Sequence, residues 1–389
     1  MRTIAFAFLT FWSIACQAQQ VFSFTNAPGE HHVGLHVVEQ YDNSRTFPAS
    51  GGTGPRPIQT LVWYPVGESK GGEPMRFEDY LLTIGGADDF SRTPAQRRKV
   101  ADEDIDGKTE GKRAAQIAVA KTQAMWAVRE APAASGKFPV VIYAPSFSGD
   151  AFQNADLCEY LASHGYVVIA SPSLGPAKRG MSLDLKGIDA QVGDIRFLID
   201  YAGTLPQADT SKIAVIGYST GGLSNVFAAA RDKRITTLVE LDGSVRYFNK
   251  LVVQAGDVTP DRMKVPMLYL AQRSPSIETI IKYKQDLSGS FINEMKSADL
   301  YLFNINGLDH SSFSSWFIRL RDPGTFEDYS AEEVSAAYGW MARYVLAFLN
   351  AYTKSDANEK AFLSARPEKN GVTKHLIEKA IEQQLSPQS

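Results

Sequence analysis

Short apolar runs alternate with amphipathic stretches along most of this chain. Val33 to Gln40 and Gln59 to Tyr64 predict two early strands, separated by a Gly/Pro-rich turn around Gly51 to Pro57. Phe138 to Ala144 and Tyr166 to Ala170 are nearly continuous apolar runs. Ile213 to Ile216, Leu238 to Leu241, Met267 to Ala271 and Asp299 to Phe303 add four more strand candidates. Runs of this kind suit parallel strands buried on both faces. Between them lie helical patterns: Asn154 to His164, ended by Gly165; Ile188 to Tyr201, with Val192, Ile195, Phe197, Leu198 and Ile199 apolar; Gly222 to Ala230; and Ala331 to Ala351. The alternation predicts an α/β protein, with a mostly parallel central sheet and helices on both faces.

Two segments depart from the alternation. Val66 to Lys137, between the second and third predicted strands, is charged and mostly helix-forming, with a turn at Ile84-Gly85-Gly86. An insertion there either shapes or covers a substrate site, as a cap, or is a solvated excursion. Near the end, Val372 to Leu385 has the spacing of an amphipathic helix, so residues 355–389 are expected to form a helical tail. The catalytic α/β domain is then expected to span 19–354.

The first residues have the layout of a secretory signal. Arg2 precedes an almost wholly apolar run from Ile4 to Ala15, and Cys16 and Ala18 are the small residues of a cleavage site after Ala18. The run is short for a transmembrane span. Lipid attachment at Cys16 is an alternative, although Ser13 stands where lipoprotein signals usually have leucine. The expected location is therefore secreted or periplasmic. Cleavage would leave Cys158 as the sole cysteine, a small apolar core residue, and no internal disulfide could form. A net charge of -3 over 389 residues gives no electrostatic footprint for nucleic acid or an anionic membrane.

The strand Ile213 to Ile216 runs into Gly217-Tyr218-Ser219-Thr220-Gly221, and Gly222 opens a helix. G-x-S-x-G between a buried strand and a helix is a nucleophile elbow, which projects Ser219 from the sheet end. Serine needs a base, and the base needs an orienting acid. The chain order in this arrangement is serine, acid, histidine. Only His310 and His375 follow Ser219. His375 falls in the C-terminal helical pattern, whereas His310 lies in a loop just past the last strand candidate, so His310 is the expected base. Asp242 follows Leu238 to Leu241 directly, at a strand's carboxyl end, where sites in open α/β sheets are built. It is the expected acid, with Glu278 in reserve. Asp309, beside His310 in sequence, is poorly placed to orient it, and Glu240 lies deeper in the sheet. The oxyanion donors are expected to be the backbone N–H of Thr220 and one from the loop Pro145-Ser146-Phe147-Ser148-Gly149. Phe147 is the first choice and Ser146 the fallback, since Pro145 has no N–H.

Together these residues resemble the α/β-hydrolase superfamily. More narrowly, they look like the branch of plasma-type platelet-activating factor acetylhydrolase and the dienelactone-hydrolase-like esterases. The resemblance is carried by Arg56 to Pro65, Phe138 to Pro145, Leu161 to Val168, the elbow, Leu241-Asp242-Gly243 and Asp309-His310-Ser311-Ser312-Phe313. It implies an α/β-hydrolase fold, and it implies an acid on the strand directly after the elbow helix, which is where Asp242 stands. The chain has Pro145-Ser146 where the family usually has His-Gly, and Ser219 where dienelactone hydrolases have cysteine. The expected activity is that of a secreted serine hydrolase acting on small-molecule carboxylic esters, without metal or organic cofactor. A peptidase or amidase on the same fold and a non-catalytic exported binding protein are the alternatives.

Overall fold

In the chain's computed structural model, residues 22–49, 52–67, 72–111, 113–274, 280–282, 288 and 290–385 are described. The expected signal segment 1–18 and the reserve acid Glu278 lie outside them. The long strands β1 (His32–Ala49) and β2 (Gly52–Val66) form an antiparallel pair at one side of the sheet. The strand β3 (Ala127–Arg129) runs parallel to β1, at the sheet's outer edge. Next to β2 lies β5 (Val167–Ala170), followed by β4 (Phe138–Ala144), β6 (Ala208–Tyr218), β7 (Ile235–Leu241), β8 (Met267–Gln272) and β9 (Leu300–Ile305). These six strands are mutually parallel. The strand β10 (Ile377–Gln383) closes the far edge, antiparallel to β9.

The central strands are apolar on both sides because both sides are covered. In β6, Ala214, Ile216 and Tyr218 enter one core while Ile213 and Val215 enter the other. Successive side chains of a strand point to opposite faces, so an unbroken apolar run feeds two cores. The helices Ala155–Ser163 and Ala331–Thr353 pack on the first face. Leu185–Ala202 and Thr220–Arg231 pack on the second. The free thiol of Cys158 is buried in the first core.

The segment 66–137 is not a solvated excursion. Its helices Phe77–Leu81, Pro94–Thr109 and Ala114–Thr122 place Phe77, Tyr80, Ile105, Ile117 and Ala120 in the first core. A hydrogen-bond chain ties it down: Trp63 Nε1 donates to Tyr80 Oη (2.7 Å), and Tyr80 Oη donates to Glu159 Oε1 (2.7 Å). Glu159 Oε2 accepts from the backbone N–H of Trp126 (2.7 Å). Burial pushes the Glu159 carboxyl up to about 7.

The C-terminal expectation needs correction. Ala357–Ser364 is helical, but residues 377–383 form β10 rather than part of a helix. The β9 edge explains it. An unpaired edge leaves a row of backbone N–H and C=O groups unsatisfied. Pairing with β10 satisfies them and buries Leu376 and Ile377, which overrides a helical spacing that was weak by itself.

Candidate active site

The parallel strands all present their carboxyl ends to one side, and three of them deliver the site. At the tip of β6, Ser219 has φ 56° and ψ -120°. A positive φ is strained for a residue with a Cβ and persists only where the surroundings enforce it. Here the backbone N–H of Ser219 donates to Leu241 C=O (3.1 Å), and Ser219 C=O accepts from Gly222 N (3.0 Å) and Ser244 N (2.7 Å). Two glycines allow the turn to be this tight. A Cβ on Gly217 would stand 2.4 Å from the backbone carbon of Gly221, and one on Gly221 would stand 2.1 Å from Ala144 C=O.

Asp242, at the tip of β7, also has a positive φ of 44° and is 0% exposed. Its Oδ2 lies 2.6 Å from His310 Nδ1. Its Oδ1 accepts from Tyr247 Oη (2.9 Å) and from the backbone N–H of Gln272 (3.1 Å). His310, in the turn after β9, sets Nε2 2.9 Å from Ser219 Oγ. With the Nδ1–H donating to Asp242, Nε2 is free to accept the serine proton. Two further bonds hold the histidine backbone: His310 N–H donates to Gln272 Oε1 (3.0 Å), and Tyr218 Oη donates to His310 C=O (2.8 Å). The imidazole remains open to solvent, with 41% of its side-chain surface exposed.

Thr220 is the first residue of the helix after Ser219, so its N–H is among those that find no acceptor within the helix. Ser146 N–H donates to Gln153 Oε1 (2.9 Å), so the fallback donor is already engaged. Phe147, the first choice, sits half-exposed in the same loop. The other carboxylates considered are occupied differently. Asp309 caps its own turn, accepting from Ser312 N (3.0 Å), and it pairs with Arg321. Glu240 is buried under the elbow, against Gly222 and Gly243. His375 bonds Glu333 Oε1 through Nε2 (2.6 Å).

Tyr247, Gln272 and Gln153 escaped the sequence reading. Gln272 stands at the tip of β8, a position where only a carboxylate would have drawn notice. Tyr247 and Gln153 carry no local motif. Cavities of about 320 and 520 Å³ open elsewhere, the first lined by Phe22, Gln123, Trp126 and Arg319, the second by Asn26, Tyr160, Trp340 and Phe362. Neither is lined by Ser219, Asp242 or His310.

A mostly parallel sheet covered on both faces, with an elbow serine at its centre, is the α/β-hydrolase fold. The comparisons agree. A family model described as Chlorophyllase matches residues 106–244, a span that holds Ser219 and Asp242 and ends before His310. Among solved structures, the chain is similar to a ferulic acid esterase from Streptomyces cinnamoneus, with a TM-score of 0.57 and 20% identity. That match covers 85% of this chain and 93% of the other. At such identity the likeness is one of fold. No curated protein matches the sequence.

Proposed function

We propose that the chain is a serine hydrolase of carboxylic esters. The observation that carries the reading is the continuous hydrogen-bonded line from Ser219 Oγ through His310 to Asp242. Ser219 attacks the ester carbonyl while His310 takes its proton, and Asp242 stabilises the imidazolium. The N–H groups of Thr220 and Phe147 receive the oxyanion. His310 returns its proton to the leaving alcohol, then activates a water that frees the acyl group. The names of the family model and of the ferulic acid esterase favour esters over amides.

Labelling with a fluorophosphonate probe, followed by peptide mapping, tests the assignment. The probe should label Ser219, and Ser219→Ala should abolish both labelling and hydrolysis of p-nitrophenyl acetate. Labelling of another serine, or turnover of peptide p-nitroanilides without turnover of the ester, overturns the reading. We further propose that the chain is exported and cut after Ala18. The intact mass of protein recovered outside the cytoplasm tests this; a retained Met1, or lipid on Cys16, counts against it.

A further inference from the structure

The loop offering the Phe147 N–H and the turn carrying His310 come from distant parts of the chain. Both are fastened to Gln153, and the turn is fastened to its neighbour Asn154 as well. Gln153 lays its carboxamide along Ser146: Oε1 accepts from Ser146 N–H (2.9 Å) and Nε2 donates to Ser146 Oγ (2.8 Å). Its backbone C=O accepts from Ser314 Oγ (2.8 Å) and Trp316 N–H (3.3 Å). Asn154 completes the join. Its Nδ2 donates to Phe313 C=O (3.0 Å) and Tyr143 Oη (2.9 Å), and its Oδ1 accepts from Ser315 N–H (3.0 Å) and Tyr338 Oη (2.8 Å). Both side chains are buried. A third amide ties the same loop to the elbow helix: Gln191 Nε2 donates to Pro145 C=O (2.8 Å), while Gln191 Oε1 accepts from Ser224 Oγ (2.6 Å).

By engaging the Ser146 N–H, Gln153 removes that donor, and Gly149 N–H is spent on Ser146 C=O (2.8 Å), so the loop's unbonded N–H groups are those of Phe147 and Ser148, with Phe147 the nearer in sequence to β4. By holding Ser314 and Trp316 with its backbone, while Asn154 holds Phe313 and Ser315, it fixes the end of the His310 turn in the same frame. We propose that Gln153, seconded by Asn154, is a positioning residue that sets the oxyanion donor of Phe147 in register with the His310 imidazole. The inference rests on the serine-esterase reading above. A donor displaced by about 1 Å can cost a hundredfold in rate while leaving substrate binding intact, so the signature is catalytic rather than structural.

The test uses Gln153→Met, which keeps the volume and loses both hydrogen bonds, and Gln153→Glu, which keeps an acceptor for Ser146 N–H. Fluorophosphonate titration first counts active sites, so rates are expressed per competent Ser219. Wild-type protein that fails to titrate overturns the esterase reading itself. Given titration, Gln153→Met should lower kcat on p-nitrophenyl acetate by about 10- to 100-fold with KM within about twofold. The affinity of a trifluoromethyl ketone, whose adduct places an oxyanion in the hole, should fall in parallel with kcat/KM. Gln153→Glu should recover most of the loss. A Gln153→Met enzyme with fewer titratable sites but unchanged kcat per site and unchanged ketone affinity overturns the proposal. If Gln153→Met does not fold, Ser314→Ala carries the test: it removes the hydroxyl on Gln153 C=O together with that hydroxyl's long cap on Phe317 N–H (3.4 Å). It should cost about three- to tenfold in kcat at unchanged KM, and no change overturns the proposal.

Discussion

Glu240 and Gly222 meet so closely that a Cβ on Gly222 would stand 2.0 Å from Glu240 Oε2. The carboxyl lies under the first turn of the elbow helix, and neither of its oxygens has a hydrogen-bond partner. The contact means that the helix carrying the elbow is seated directly on a buried acid. Gly222→Ala should therefore lift or shift that helix, at a cost of about 1–3 kcal/mol typical of overpacking. Urea unfolding measures the loss, and a variant as stable as wild type with an unmoved elbow would contradict the packing described.

Glu240 also gives the stability a pH dependence. Burial pushes its pKa well above the ordinary 4.5, with only the nearby Asn225 amide opposing the shift. The unfolded chain loses this proton near the ordinary value, while the folded chain keeps it. Over that interval the folded state binds more protons, so stability falls as pH rises, by about 1.4 kcal/mol per unit for one such group. Glu159 acts in the same direction between the ordinary value and about 7. Glu240→Gln should remove the first contribution and leave the second. Unfolding midpoints of both proteins at pH 5 and pH 8 check this: the variant's advantage should grow toward pH 8. An advantage that is constant with pH refutes it.

Asp242→Asn should cut turnover on a small ester by about two to four orders of magnitude with the fold intact. The asparagine amide cannot favour the Nδ1–H tautomer that leaves Nε2 ready for Ser219. Stopped-flow acylation and circular dichroism together separate this from unfolding, and near-wild-type turnover would remove Asp242 from the proposed line.

Arg319 holds Asp156 through two bonds of 2.5 and 2.7 Å, with its guanidinium between the rings of Phe22 and Phe77. Asp156→Ala strands a buried cation and should destabilise by about 3–5 kcal/mol. Asp156→Ala with Arg319→Met, which removes both charges, should recover much of that. A double variant no better than the single one would show that the loss is not one of unpaired charge.

Ending the chain at Gly371 removes β10 and bares the β9 edge together with the surfaces that Val372, Leu376 and Ile377 cover. The shortened protein should have a lower melting temperature and a greater tendency to aggregate. Light scattering during a thermal ramp reads both, and an unchanged profile would show that β10 is dispensable.

What the sequence discloses here is local. Gly217, Ser219 and Gly221 lie within one turn, and Asp242 follows an unbroken apolar run, so each can be placed from its neighbours. His310 is legible by elimination, since few histidines follow the serine. β3 is not legible, because three residues carry no period and Ala127–Arg129 becomes a strand only beside β1, which lies far back in the chain. β10 fails for a related reason: Ile377, Glu378 and Ile381 suit a helix as well as a strand until the β9 edge decides. Gln153 is illegible for a third reason. An amide in a loop says nothing until its partners at Ser146 and Ser314 are brought to it.

The contrast between a sealed Asp242 and an open His310 bears on where the acyl group ends up. Under the proposed reading, solvent meets the imidazole directly, so any small hydroxyl compound in solution competes with water for the same proton relay. In mixtures rich in methanol or ethanol the protein would then act as an acyltransferase, building new esters from the acyl groups it removes, and the solvent rather than the fold would choose the product.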